Sequence, residues 1–171
     1  FRGFKKLKEQ TAETGYLTLD EIEALLAALS GGNRKIAVLC LSTGARWGEA
    51  ARLKAENVSQ NRVTFVKTKT NPPRTVPISD EVAAYVVGNT RGFLFHDASY
   101  AEFRNILKAV KPDLPSGQAT HALRHSFATH FMINGGNIIT LQRILGHTKI
   151  AQTMVYAHFA PQYLQDAISL N

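Results

Sequence analysis

The chain has 171 residues, 44% of them hydrophobic, which is enough for one domain with a substantial core. Its 20 Lys and Arg outnumber 13 Asp and Glu, a formal charge of +7 at pH 7. That balance points to an anionic partner, nucleic acid ahead of a membrane surface, and no long uncharged apolar run is present to enter a bilayer. The single cysteine, Cys40, excludes a disulfide framework and reads as a buried small hydrophobe, in keeping with a reducing, cytoplasmic setting.

No signal peptide is visible, and Phe1–Lys8 is a basic, poorly periodic lead-in, expected to follow a preceding segment of a longer protein. Thr18-Leu19-Asp20-Glu21 has the form of a capping box before a helix carrying Ile22, Leu25, Leu26 and Leu29, which Gly31-Gly32 is expected to end. Ile36–Leu41 is apolar almost all round and predicts a helix buried on most sides, stopping near Thr43-Gly44. Arg46 then sits at a helix-to-helix junction, with Glu49 one turn on as its expected brace, and Trp47 reads as core. From Val63 the period changes to two: Val63 and Phe65, then Val76 and Ile78, flank Asn71-Pro72-Pro73 as a β-hairpin with Lys67 and Lys69 near its tip. Ser79-Asp80 caps a short helix through Val87, and Phe93-Leu94-Phe95 is expected to add a third strand.

Ser99-Tyr100-Ala101-Glu102 is a second capping box, before a helix with Phe103, Ile106, Leu107 and Val110 that Lys111-Pro112 closes. A Pro115-Ser116-Gly117 loop leads into the stretch His121–His130, a helix ending at Gly135-Gly136. It sets His121 and Arg124 on one face and Leu123, Phe127 and Phe131 on another. Asn137 caps a helix carrying Ile138, Leu141, Ile144 and Leu145, stopped by Gly146. His147 stands at the turn, Thr148 is expected to cap the next helix, and Tyr156 to lie on it; Pro161–Asn171 reads as one more short amphipathic piece. The pattern predicts a mainly α fold with a small antiparallel β-sheet, an α+β class with no internal repeat.

The chemistry-bearing residues suit phosphoryl transfer. Tyr156 is a candidate nucleophile: a phenol attacking a phosphodiester gives a phosphotyrosine that stores the bond for later rejoining. Arg46 and Arg124 can neutralise the non-bridging oxygens without a metal. A lysine at the hairpin tip can protonate the leaving 5′-oxygen, His121 can take or pass on the phenol proton, and His147 can hydrogen-bond the phosphate.

The segments Thr43-Gly44-Ala45-Arg46-Trp47-Gly48-Glu49, His121-Ala122-Leu123-Arg124, Leu145-Gly146-His147 and Tyr156, nine positions after His147, resemble in order and spacing the boxes of the tyrosine recombinases. Thr68-Lys69-Thr70 before the Arg74–Pro77 strand resembles the hairpin of that family's catalytic lysine, with Asn71-Pro72-Pro73 in place of its commoner glycine-bearing turn. The resemblance covers about residues 16–160 and is nearest to the catalytic domain of temperate phage integrases.

It implies the tyrosine recombinase catalytic-domain fold over residues 16–171 and a basic linker over 1–15 from an N-terminal DNA-binding region. It implies Tyr156 as nucleophile, Arg46 and Arg124 as phosphate clamp, Lys69 as acid with Lys67 the alternative, His121 and His147 assisting, and Glu49 supporting. Arg46, Lys67, Lys69 and Arg124 would contact DNA. The implied partners are double-stranded attachment-site DNA, further copies of the chain (a dimer, and a tetramer on synapsis), and host DNA-bending and excision factors, with no cofactor, metal or membrane. The segment after Ala157 is expected to pack on a neighbouring protomer.

Three rival readings fit the same residues less well. A helix-turn-helix regulator would use Asn137–Ala157 but leaves Arg46, Lys69, His121 and Arg124 without a role, and offers only Gln152 for reading bases. A metal nuclease needs clustered carboxylates, and the acidic residues here are scattered. A type IB topoisomerase shares the chemistry. His121 and His125 imitate half a zinc site, but no Glu follows His121, so His125 is expected to pack or support; His158 reads as structural or as a flanking contact.

Overall fold

In the computed structural model, residues 15–66 and 72–161 are described. The hairpin-tip residues Lys67 and Lys69, the basic lead-in and the tail beyond Pro161 lie outside them. Three helices come first: α1 (Leu19–Ala28), α2 (Gly31–Thr43) and the short α3 (Trp47–Ala51). Strands β1 (Val58–Ser59), β2 (Arg62–Phe65) and β3 (Arg74–Pro77) follow. Five helices complete the order: α4 (Asp80–Val87), α5 (Tyr100–Val110), α6 (Ala119–Ile133), α7 (Ile138–Leu145) and α8 (Ile150–Met154), with 3-10 turns at Ala55–Asn57 and Ala157–Phe159. The mainly helical class with one small antiparallel sheet is as expected.

Local chemistry fixes many of the ends. Thr18 Oγ1 accepts from the Glu21 N–H while the Glu21 carboxylate accepts from the Thr18 N–H, a complete capping box. Ser79, Ser99 and Asn137 each cap their helix through a side-chain oxygen.

Gly31-Gly32 does not end α1 but opens α2. The Asp97 carboxylate, from a distant loop, accepts from the Gly32 N–H at 3.1 Å and occupies the space a side chain would need. The third strand is Val58–Ser59, not Phe93–Phe95; Phe93 makes only an isolated bridge to Lys54. A positive-φ turn at Gln60-Asn61 folds β1 back on β2, a signal that carries no glycine and so escapes a turn search.

The sheet is read by alternation: Val63, Phe65, Arg74 and Val76 face inward. Phe65 pairs with Arg74 across the β2–β3 register, and the Arg74 guanidinium lies 4.7 Å from the Phe65 ring centroid.

Two apolar clusters share α6. The larger draws on α1 to α5, the sheet, and Ala122 and Leu123 at the start of α6, with Trp47 stacked on Phe103 at 4.1 Å. The smaller gathers Ala128 and Met132 of α6, Leu141 and Leu145 of α7, then Tyr156 and Ala160. The most buried side of α6 is lined by Ala122, Ser126 and Thr129 rather than by Phe127 and Phe131, which are only partly buried. Small residues let α2 and α6 approach closely.

The incoming chain is strapped to the same helix. The Leu17 N–H donates to Ser126 Oγ at 2.8 Å and His130 Nε2 donates to the Leu17 carbonyl at 2.7 Å.

Candidate active site

Helix α6 is the scaffold of the site. His121, Arg124 and His125 recur at i, i+3 and i+4, so they share one face. Arg124 is 3% exposed and anchored from behind: its guanidinium donates to the Gly44 carbonyl at 3.0 Å and the Leu145 carbonyl at 2.6 Å. These carbonyls end α2 and α7, where a cation also meets the negative pole of each helix. With five N–H donors on a guanidinium, others remain for a ligand.

Two glycines make this possible. Gly44 takes φ +74° as the C-cap of α2, and a Cβ there would fall 2.6 Å from Leu145 and 2.7 Å from Phe127. Gly146 caps α7 at φ +73°, with the Arg74 side chain lying where its Cβ would point.

Arg46 precedes α3 and is half-buried. Glu49 does not brace its guanidinium. One carboxylate oxygen accepts the Arg46 backbone N–H at 3.1 Å, and the two oxygens bind the Arg74 guanidinium in a fork, at 2.6 and 3.1 Å. Arg74 also donates to the Ile144 carbonyl at 2.8 Å, so the pair ties α3 and β3 to α7. Burial raises the Glu49 carboxyl, but the hydrogen bonds and charge of Arg74, with the Arg46 N–H and Arg124, bring it below its ordinary value. Sequence reading missed Arg74 as a buried partner. The signal was there: strict alternation places it on the inward face with Val76.

His147 follows the α7 cap and contacts buried Thr153 through Nδ1, at 2.7 Å from Oγ1. Burial, then the charges of Arg124, Arg46 and Arg74, pull its imidazole down to about 4. His121 is also lowered, by burial first and then by Arg46 and Arg124. Both imidazoles are therefore neutral at physiological pH.

Tyr156 is not on a helix: α8 is capped by Lys149, not Thr148, and ends at Met154, and Tyr156 occupies the turn before Ala157–Phe159. Its ring is 3% exposed, within the smaller apolar cluster. The hydroxyl meets His125 Nδ1 at 2.6 Å. Burial raises the phenol to about 12 even though Arg124 and Arg46 pull the other way. Burial, then His121 and Arg124, take His125 down to about 4. A protonated phenol thus faces an uncharged imidazole.

His125, expected only to pack or support, is the group in direct contact with the Tyr156 hydroxyl. Its i+4 spacing from His121 was the clue. The two imidazole centroids are 6.0 Å apart.

Arg46, the α6 pair His121 and Arg124, His147 and Tyr156 thus come from four segments of the chain, and the charges of Arg46 and Arg124 reach both histidines and the phenol. The guanidinium groups of Arg46, Arg74 and Arg124 outnumber the single carboxylate of Glu49 there, a field suited to an anion. Lys67 and Lys69 fall outside the described residues, and His158 follows Tyr156 with its ring 4.0 Å from that of Phe159. Among the described residues no group of three or more His, Cys, Asp or Glu is placed to hold a metal ion, and no helix is long and apolar enough to cross a membrane.

Comparison with known proteins gives concordant results. The model of the phage integrase family matches residues 15–162. The integrase of Escherichia phage P2 is 78% identical over 170 residues, which cover 99% of this chain and 50% of that protein. A tyrosine recombinase XerC of Lactobacillus delbrueckii subsp. bulgaricus is 30% identical, over 95% of this chain and 62% of its own. Among solved structures, the catalytic domain of bacteriophage HP1 integrase matches with a TM-score of 0.80 and 46% identity, covering 91% of this chain and 94% of that one. The chain spans about half the length of the phage relative, P2 integrase.

Proposed function

The chain belongs to the phage integrase family, and from that premise we propose that it is the catalytic domain of a site-specific DNA recombinase that integrates and excises phage DNA at attachment sites. The observation that carries this reading is the gathering of Arg46, Arg124, His147 and Tyr156 about one positively charged site. Arg46 and Arg124 clamp the non-bridging oxygens of a DNA phosphodiester and stabilise the charge that grows on them in the transition state. Tyr156 attacks the phosphorus and displaces the 5′-oxygen, which Lys69, or Lys67 in its place, protonates. A 3′-phosphotyrosine and a free 5′-hydroxyl result.

His147 supports the phosphate: when the Thr153 hydroxyl donates to Nδ1, the ring proton sits on Nε2, ready to be donated. His121 assists beside it. A second 5′-hydroxyl reverses the step and rejoins the strand, without ATP, metal or other cofactor. Residues 1–15 are a linker from an N-terminal DNA-binding region, and 16–171 the catalytic unit. The protein works as a dimer that pairs into a tetramer on synapsis. Host DNA-bending and excision factors assist it in the bacterial cytoplasm.

The test is a suicide substrate: a nicked duplex bearing the attachment core, incubated with the full-length protein in EDTA. A covalent protein–DNA species that disappears in Tyr156→Phe supports the reading. No covalent species, with equal duplex binding by the parent and Tyr156→Phe, would instead favour a regulator that uses α7 and α8.

A further inference from the structure

We propose that His125 is a catalytic residue: its Nδ1 takes the proton from the Tyr156 hydroxyl as that oxygen attacks the phosphate, and returns it during rejoining. The assignment rests on the reading of Tyr156 as nucleophile.

Three observations carry it. The contact is direct, 2.6 Å from Nδ1 to the phenol oxygen, which is a strong hydrogen bond. Tyr156 and His125 are both held by buried structure, Tyr156 in the smaller apolar cluster and His125 one residue beyond the doubly anchored Arg124. Finally, the phenol is shut away from bulk water, so a solvent base does not reach it readily, and His125 supplies the acceptor that burial removes. His121 lies one turn away on the same face, its ring centroid 6.0 Å from that of His125.

The step balances. The Tyr156 O–H bond breaks, its proton passes to Nδ1, and an oxygen lone pair forms the bond to phosphorus. The bond from phosphorus to the 5′-oxygen breaks, and the departing oxygen takes a proton from the general acid. The groups facing His125 are Tyr156 from the turn after α8, and His121 and Arg124 from α6. The imidazolium formed sits close to Arg124, and the bound phosphate, carrying negative charge into the same site, offsets that repulsion at the moment of transfer.

The experiment compares full-length parent, His125→Asn, His125→Ala and Tyr156→Phe in single-turnover cleavage of the nicked duplex. Asn places an amide oxygen near the Nδ1 position, so it can hold the hydroxyl but cannot accept its proton. His125→Asn should cleave about 10²- to 10⁴-fold more slowly with DNA binding unchanged. A duplex with sulfur in place of the bridging 5′-oxygen needs no general acid, so it should not rescue His125→Asn. Replacing Tyr156 by the more acidic 3-fluorotyrosine should restore part of the rate, which a merely structural defect would not allow.

Cleavage by His125→Asn within threefold of the parent overturns the assignment, as does full rescue by the 5′-sulfur duplex. If His125→Asn and His125→Ala both lose rate through misfolding, fluorotyrosine in the His125 parent decides. An accelerated parent supports proton removal as a limiting event, and an unchanged one refutes it. A parent that forms no Tyr156-dependent covalent species removes the wider reading, and this assignment with it.

Discussion

Replacing Arg74 by methionine isolates the Glu49–Arg74 pair. The side chains of both residues are nearly sealed from solvent, at 5% and 6% exposure, and the fork is their main source of charge compensation. Without the guanidinium, Glu49 keeps only the Arg46 N–H among its direct partners. Breaking a buried pair in this way costs about 3–5 kcal/mol, because a carboxylate remains without a counter-charge. For a chain of this size that corresponds to a fall in Tm of about 6–20 °C.

The pH dependence gives a sharper readout. In the parent, the Glu49 carboxyl titrates below its ordinary value because Arg74 holds it ionised, so its stabilising contribution is present above that ordinary value and lost as pH falls through the folded-state value. In Arg74→Met burial dominates and the carboxyl rises above its ordinary value. The variant then takes up a proton at Glu49 on folding, and its deficit relative to the parent shrinks as pH falls from 7.5 to 5.5. Adding Glu49→Gln should recover at least about 1 kcal/mol compared with the sum of the single substitutions. Urea titrations of the four proteins at both pH values measure all of this. A loss below about 1 kcal/mol for Arg74→Met at pH 7.5, or a deficit that does not change with pH, would refute the reasoning.

Two further outcomes follow from the same geometry. Gly44→Ala places a Cβ at positive φ against Leu145 and Phe127, and should cost at least about 2 kcal/mol in urea denaturation; a loss under 0.5 kcal/mol, the usual surface value, would contradict the close approach. The depressed imidazoles make stability acid-sensitive: His125 and His147 contribute fully above their unfolded value of 6.5, and the contribution drains away as pH falls from there toward about 4. For the largely buried His125 the shift is equivalent to about 3 kcal/mol. Stability that stays level between pH 7 and 5, and is unaffected by His125→Asn, would show that these rings are not held neutral.

Elements whose ends are governed by neighbouring residues could be read from sequence. The Thr18 box, the Asn137 cap and the inward alternation of Val63 and Phe65 all act within a few positions of the chain. What escaped reading is set at long range. Asp97 reaches back 65 positions to the Gly32 N–H, turning an apparent stop into a start. Glu49 finds Arg74 25 positions on, so a carboxylate one turn from Arg46 serves a different arginine. His125 and Tyr156 are 31 apart, and only the packing of α6 against the turn after α8 brings them together. The residue types of the site were visible, but the pairings among them depend on tertiary structure.

The two carbonyl contacts of Arg124 have a consequence for binding. An unconstrained arginine carries about 2 kcal/mol of rotamer entropy that a ligand must quench. Here that side chain is already ordered by the ends of α2 and α7, so its loss of freedom belongs to folding and not to association. Any anion taken by its remaining N–H donors would meet a side chain already set in place, as in a rigid receptor. The same bonds make it a splice between two helices, so truncating it alters the receptor's shape along with its charge.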